Sequence, residues 1–435
     1  MNGAVRFVRG RIVSFRDDPR LAAERAVSLI EDGAVRIENG EIAAVGEAPA
    51  ILARAPPGAA IDDHSGKLVM PGFVDPHIHY PQTRVIGSYG AQLLDWLQKY
   101  TFVEEQKFAD PGYCEAVARF FLDELFRQGT TTACVYCTIH PESVDAFFAE
   151  SERRGARMIA GKVMMDRNAP AALTDSPRRG YDESKALMAR WRGRGRLGYA
   201  ITPRFAVTSS EAQLEAAGAL ARECPEAYVQ THLSENFAEI AFVKRQFPWA
   251  DTYLDVYDRF GLAGPRSLFG HCLHLEESEV AALAKSDSVA VFCPTSNLFL
   301  GSGLFDKKRF DEAKIRVALA TDVGAGVSYS MLRTAAEGYK VLQMNGQPWP
   351  GAQAFYQLTL GNARALGLEG RIGSIEPGRE ADLVVLDSRA TPATAHRMEV
   401  VDGDLAEELF VLATMGDDRA VAETYVAGRP AKAGG

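Results

Sequence analysis

Residues 68–79 read Leu-Val-Met-Pro-Gly-Phe-Val-Asp-Pro-His-Ile-His. An apolar run rich in strand-forming residues ends in a polar cluster of Asp75, His77 and His79. Side chains of an extended chain alternate faces with a period of two, so His77 and His79 point the same way and both reach one point. Seven further runs share the apolar character: Thr130–Tyr136, Arg157–Met165, Gly198–Phe205, Ala227–His232, Ser267–His271, Ser288–Phe292 and Val317–Asp322. Helical segments lie between them. One opens with Asp110 as N-cap and Pro111 at its first position, carries Val117, Phe120, Phe121 and Leu125 at helical spacing, and stops at Gly129. Another follows Thr208, with Glu211 three residues on, in a capping-box pattern. Eight β-then-α units predict an α/β fold, a TIM-like (β/α)8 barrel.

The two ends of the chain read differently. Ala34–Glu47 alternates apolar and polar residues around Asn39-Gly40, a hairpin signal. Near the other end come the turn Glu376-Pro377-Gly378, the apolar run Ala381–Leu386 and a strand candidate at Val421–Val426. These strands predict a small β-sandwich domain assembled from both termini. The expected division is 1–68 and 371–435 for that domain, with the barrel over 69–370.

Composition narrows the class. The 435 residues are 47% hydrophobic and 24% charged, as in a soluble globular protein with ample core. A formal net charge of −9 argues against nucleic-acid binding, which needs a basic face. No apolar run reaches the roughly 18 residues needed to span a bilayer. Met1–Phe15 lacks the apolar stretch of a signal peptide, so the expectation is a cytoplasmic enzyme with no membrane contact. Six scattered cysteines form no disulfide framework. Cys134 and Cys137 make a CxxC, but three residues apart on a strand they face opposite ways and read as core.

Barrel enzymes place their chemistry at the carboxyl ends of the strands. The fifth strand ends Thr231-His232-Leu233-Ser234-Glu235, the sixth Gly270-His271-Cys272, the eighth Thr321-Asp322-Val323-Gly324. An Asp directly after an apolar strand is costly to bury unless paired or metal-bound. Strands 1, 5, 6 and 8 each end in His or Asp, and three imidazoles with a carboxylate suit Zn²⁺, and Fe²⁺ as well, with a position left for water. Coordination brings that water's pKa towards neutrality. Glu235 and Asp322 supply the carboxylates that take and deliver protons in such a hydrolysis. His271 reads either as a group that orients the nucleophile or as a ligand. Strand 4 ends in Arg204, where no lysine offers a bridging carbamate, which favours one metal ion over two.

These residues resemble the amidohydrolase superfamily: Pro71–His79 is similar to its opening signature, and His232, His271 and Asp322 stand where its strand 5, 6 and 8 residues belong. Within it, the chain most resembles the guanine deaminase family. The segments that carry this are His79-Tyr80-Pro81-Gln82, Leu94-Asp95-Trp96-Leu97 with Tyr100-Thr101-Phe102, Pro203-Arg204-Phe205, Thr231–Asn236, Cys293–Phe305 and Thr321–Gly324. The resemblance covers essentially the whole chain. It implies deamination of guanine to xanthine and ammonia, in purine catabolism, with hydroxide attacking C2 and with Glu235 and Asp322 handling protons. It implies one Zn²⁺ per subunit on His77, His79, His232 and Asp322, with Fe²⁺ as the other candidate. Catalytic residues are then Glu235, His271 and Asp322. Gln82, Arg204, Phe205, His232 and Glu235 are implied as substrate-binding, the partner is a small purine, and the subunit pairs as a homodimer. Trp96 and Tyr100 read as core, and Cys293–Phe305 as a loop wall. Val207, Thr208, Ser209, Ala325, Val327 and Tyr329 depart from the family pattern and bear on fine substrate preference. The alternative reading is a related amidohydrolase acting on another purine, a pterin or a triazine.

Overall fold

At Gly72 the chain passes from one sheet into another, dividing the run that reads as a single strand. The structure, a computed structural model, describes residues 5–22, 25–90 and 92–432. Before Gly72 come β1 (Arg6–Phe15), β2 (Val27–Glu38), β3 (Glu41–Glu47) and β4 (Ala60–Pro71). A Cβ on Gly72 would lie 2.2 Å from Thr131 Oγ1, so only glycine fits the crossing.

The barrel follows, as β5 (Phe73–His79), β6 (Thr130–Tyr136), β7 (Arg157–Gly161), the short β8 (Val163–Met164), β9 (Gly198–Pro203), β10 (Tyr228–Leu233), β11 (Ser267–His271), β12 (Val289–Phe292) and β13 (Arg316–Leu319). Eight of these run parallel in the order β13-β12-β11-β10-β9-β7-β6-β5, and β8 pairs with β9. Their buried faces pack on the intervening helices in one large apolar core. The expected (β/α)8 barrel is present. The C-terminal β14 (Leu383–Leu386), β15 (Val421–Val426) and β16 (Arg429–Pro430) join β1–β4 in a seven-stranded sheet, order β16-β15-β14-β4-β1-β2-β3. The β2–β3 hairpin turns at Asn39 and Gly40, with φ of 53° and 83°, the paired positive values of a type I′ turn.

Three local readings need correction. The run Arg157–Met165 breaks at Lys162, whose side chain is buried against Asp175; a Cβ on the preceding Gly161 would lie 1.7 Å from the Ala200 carbonyl oxygen. The last barrel strand ends at Leu319 rather than Asp322, because Asp322 takes a left-handed conformation, φ 50°. The helix after Thr208 spans Glu211–Glu223 and is capped by Ser210, whose side chain accepts from the Gln213 N–H; Thr208 lies in a preceding turn. The helix at Pro111–Arg127 starts as expected, with Asp110 accepting from Gly112 N–H. No helix among the described residues is long and apolar enough to cross a membrane.

Candidate active site

Strand alternation turns His77 and His79 to the barrel interior and Ile78 into the outer core. Pro76 carries no N–H, and the β5–β6 pairing slips between Asp75 and Ile78. Tyr136, at the end of β6, packs beneath the imidazoles, its ring centroid 4.3 Å from that of His79, 4.7 Å from His77 and 5.0 Å from His232. Gly270 clears space for His77: a Cβ there would lie 2.6 Å from His77 Cε1.

His77, His79, His232 and Asp322 are all buried and offer ligand atoms within 4.8 Å of one another. His79 Nε2 lies 3.2 Å from His232 Nε2 and 3.3 Å from Asp322 Oδ1; His77 Nε2 lies 3.4 Å from the same oxygen. Metal–ligand bonds of about 2.0–2.1 Å at tetrahedral angles put donor atoms about 3.3 Å apart, so these edges fit one ion of zinc's size. The donor set fits too. Neither ring nitrogen of His77 has a hydrogen-bond partner. The Nδ1–H of His232 donates to the Arg204 carbonyl at 2.7 Å, which leaves the Nε2 lone pair facing the cluster.

Burial favours neutral imidazoles. It pushes His79 down to about 4, and His232 well below its ordinary value with help from the neighbouring histidines. Burial opposes ionisation of Asp322, yet the close approach of the His77 and His79 imidazoles outweighs this and holds its carboxyl well below the usual range.

Glu235 and His271 flank the tetrad. Glu235 Oε1 accepts from the Ser302 hydroxyl at 3.0 Å, and Oε2 lies 3.3 Å from His271 Nε2. Burial, then the charges of Glu239 and Asp322, pushes the Glu235 carboxyl well above its usual value. Asn297 Nδ2 stands 2.9 Å from His271 Nδ1, and as a donor there it leaves Nε2 to carry the ring proton. His271 Nε2 is 3.9 Å from Asp322 Oδ2, outside the tight cluster. Ser234, His271 and Asp322 have φ of 50°, 74° and 50°, so strained backbone gathers at this one end of the barrel.

Gln82, Arg204 and Phe205 line the same cavity as His79, Glu235 and Asp322. Every site residue named from the sequence thus falls on one pocket or its metal cluster. Trp96, expected as core, also lines that pocket, with Leu93, Leu97 and Leu300. Tyr100 is packed against the core outside it. Of the divergent positions, Ala325 borders the pocket, whereas Val207 and Thr208 line a neighbouring groove and Val327 is exposed.

The sequence reading missed Glu105. Its buried carboxylate accepts from Arg204 Nη1 at 2.9 Å on both oxygens and from Gln82 Nε2 at 3.2 Å. The Gln82 carbonyl in turn accepts from Gly324 N–H at 3.2 Å. Flanked by Glu104, Gln106 and Lys107, it is not singled out by its local sequence.

A (β/α)8 barrel whose strand ends bring three imidazoles and a carboxylate to one point is the frame of a metal-dependent hydrolase. The sequence pattern of the Amidohydrolase family matches residues 68–431. Guanine deaminase of Escherichia coli K12 is 48% identical over 425 residues, spanning 97% of this chain and 96% of that protein. The solved E. coli guanine deaminase superposes with a TM-score of 0.95 at 47% identity, over 98% of this chain and 99% of that one. A C. acetobutylicum guanine deaminase with guanine bound in its active site gives 0.86 at 28% identity, over 98% and 99%. The chain belongs to the amidohydrolase family, and within it to the guanine deaminases.

Proposed function

We propose that this protein hydrolyses guanine to xanthine and ammonia, an aminohydrolase reaction on a cyclic amidine. The observation that carries the reading is the convergence, in one buried pocket, of a His₃Asp tetrad, the Glu235–His271 pair and the Arg204–Gln82 pair. His77, His79, His232 and Asp322 would hold one Zn²⁺, with Fe²⁺ as the alternative ion. Such an ion supplies acidified water as a nucleophile at neutral pH.

The chain's own groups do the rest. Arg204 has only donors and suits O6 or N7 of the purine; Gln82 offers both donor and acceptor to the mixed edge. Phe205 packs on the ring face. Glu235, protonated in its buried setting, gives a proton to N3 as the water oxygen adds to C2. His271, with Nε2–H directed at the site, steadies the oxygen. Of the water's two protons, one passes by way of Asp322 to the 2-amino group and the other returns to Glu235 to restore the acid; the C2–N bond breaks, and ammonia leaves as the C2 carbonyl forms.

We further infer a cytoplasmic homodimer, on the family resemblance, and a division of the chain into a 72–370 barrel and a β-domain of 1–71 with 371–435, the first boundary moved from the expected 68 because Val69–Pro71 pair with β14. The test is a spectrophotometric guanine-to-xanthine assay on metal-analysed protein. Turnover proportional to bound metal and abolished by chelation is the expected result; metal-loaded protein that leaves guanine unchanged, in a panel with other purines, pterins and triazines, refutes the substrate.

A further inference from the structure

Glu105 stands behind the pocket wall and not in it, and it is buried with both oxygens engaged. It lies on the short helix Phe102–Glu105, whose Phe102 ring carries the Arg204 guanidinium 5.4 Å above its centroid. One carboxylate therefore fixes two side chains from different strand ends: Arg204, after β9, and Gln82, after β5. It also fixes the sense of the Gln82 amide. A carboxylate only accepts, so Gln82 must face it with NH₂ while the carbonyl accepts from Gly324 N–H, which leaves one N–H and one lone pair for the purine. Glycine is needed at 324, since a Cβ there would lie 2.8 Å from Gln82 Cβ.

The second consequence is electrostatic. A lone guanidinium in a dry pocket attracts anions; one already paired with a carboxylate offers N–H groups without net charge. Guanine is neutral near pH 7. Xanthine, with a second carbonyl flanking its ring N–H groups, is the stronger acid and begins to ionise there. A charge-balanced Arg204 discriminates between them.

We propose that Glu105 is a positioning residue that holds Arg204 and Gln82 in the pose that reads the purine, and that it cancels the charge of Arg204 so that the pocket favours neutral guanine and lets the xanthine anion go. This rests on the guanine deaminase reading above. The charged and titratable groups facing the cavity are Arg204, Glu235, Asp322, His79, His232 and His271. Those other than Arg204 are untouched in the variants below.

The test compares the parent enzyme with Glu105→Gln, Glu105→Asp, Arg204→Gln and the double variant Glu105→Gln/Arg204→Gln. Guanine kinetics, xanthine inhibition on both sides of neutrality and bound metal are measured for each. Glu105→Gln is expected to retain its metal, lose roughly 10- to 100-fold in kcat/KM through misplaced binding groups, and bind xanthine increasingly tightly relative to the parent as pH rises. Glu105→Asp restores the charge but not the reach, so xanthine inhibition returns to the parent's pH pattern while KM stays raised. In the double variant, Glu105→Gln adds little to the loss from Arg204→Gln alone, since it acts through that residue. Removing both members of a buried pair also spares the fold the isolated charge that one removal leaves, so the double variant reports even if Glu105→Gln fails to fold.

A merely structural Glu105 would lower stability in all its variants, add its effect to that of Arg204→Gln and leave the xanthine pH pattern unmoved; that result overturns the proposal. An active parent with a Glu105→Gln variant within about twofold of it overturns this inference alone. A metal-loaded parent that ignores guanine overturns the function reading, and this inference falls with it.

Discussion

Replacing Glu235 by Gln isolates proton transfer from everything else in the pocket. The substitution keeps volume and shape. Ser302 Oγ, 3.0 Å from Oε1, still finds an acceptor in the amide carbonyl. The amide nitrogen takes the place of Oε2, 3.3 Å from His271 Nε2, and offers an N–H to a purine ring nitrogen as the protonated acid does. No ligand of the tetrad is touched, so bound metal should equal that of the parent. The transferable proton is lost, and with it the acceptor that Oε2 offers to His271 Nε2–H. General acid–base catalysis by a positioned side chain contributes about 10²–10⁴-fold. Glu235 handles more than one proton here, so the upper half of that range applies: a fall in kcat of about 10³- to 10⁴-fold, or roughly 4–5.5 kcal/mol at 1.36 kcal/mol per decade. KM should stay within a few-fold or fall, because the ground-state hydrogen bonds to the purine survive. Steady-state guanine kinetics with metal analysis on the same preparation decide the matter. A variant with full metal and kcat within about tenfold of the parent would refute Glu235 as the proton carrier.

Gly270→Ala should place a methyl group 2.6 Å from His77 Cε1 and push that ligand aside. We expect at least a tenfold loss in metal affinity by competition with a chelator, and parent-like affinity would show that His77 is not a ligand. Asn297→Asp turns the partner of His271 Nδ1 into a pure acceptor, so the ring proton moves to Nδ1 and Nε2 presents a lone pair to the site. A drop in kcat of about 10- to 100-fold with unchanged metal content is expected; unchanged kcat would exclude Nε2–H as a working donor. For the pH dependence of metal binding the sign follows from depressed imidazoles. A histidine with an ordinary value near 6.5 must lose a proton to bind metal below that pH, whereas His79, held near 4, has none to lose there, and His232 lies well below its ordinary value too. His79 and His232 should therefore add almost no pH dependence to zinc affinity between about pH 7 and about pH 5. Isothermal titrations showing a loss of about tenfold per pH unit for each of these two ligands would contradict this burial effect.

The barrel was legible because its alternation of apolar strands and capped helices repeats along the chain. The metal cluster was legible because β5 and β10 put their histidines at strand ends, as β11 puts His271 beside them. Other features depend on contacts that no local pattern announces. Glu104 and Glu105 are adjacent and alike in sequence. In space, Glu104 faces Lys107 and Tyr113, while Glu105 turns inward to Arg204. Trp96 reads as core because a large apolar residue on a helix usually is; here the core it joins is the wall of the pocket. Asn297 and Ser302 sit in a segment expected only to shape a loop, but a tight turn at Gly301 and Gly303 brings the segment onto His271 and Glu235. The break at Gly72 was hidden because the residues on both sides are equally apolar, and only the steric demand of Thr131 separates them.

The metal cluster also lies where the barrel closes. The strand order ends at β13 on one side and β5 on the other, and side chains with a few backbone bonds, rather than a regular ladder, join them. Asn362, fully buried, donates to the carbonyls of Val74 at 2.7 Å and Leu319 at 2.8 Å and accepts from Leu319 N–H at 2.9 Å. One level higher, Asp75 accepts from Thr321 N–H at 3.2 Å and from its hydroxyl, with burial pushing the carboxyl up to about 7. At the top, Asp322 N–H donates to the His77 carbonyl at 3.0 Å and His79 N–H to the Val323 carbonyl at 2.7 Å. A regular ladder here would have held residues 320–322 extended and turned their side chains alternately in and out. Freed from it, Asp322 adopts its positive φ and swings its carboxylate back over His77 and His79. Two ligands from one edge and one from the other then meet across the seam, so an ion bound there adds its own bonds to the closure. The open seam is thus what lets strands 1 and 8 contribute to a single site.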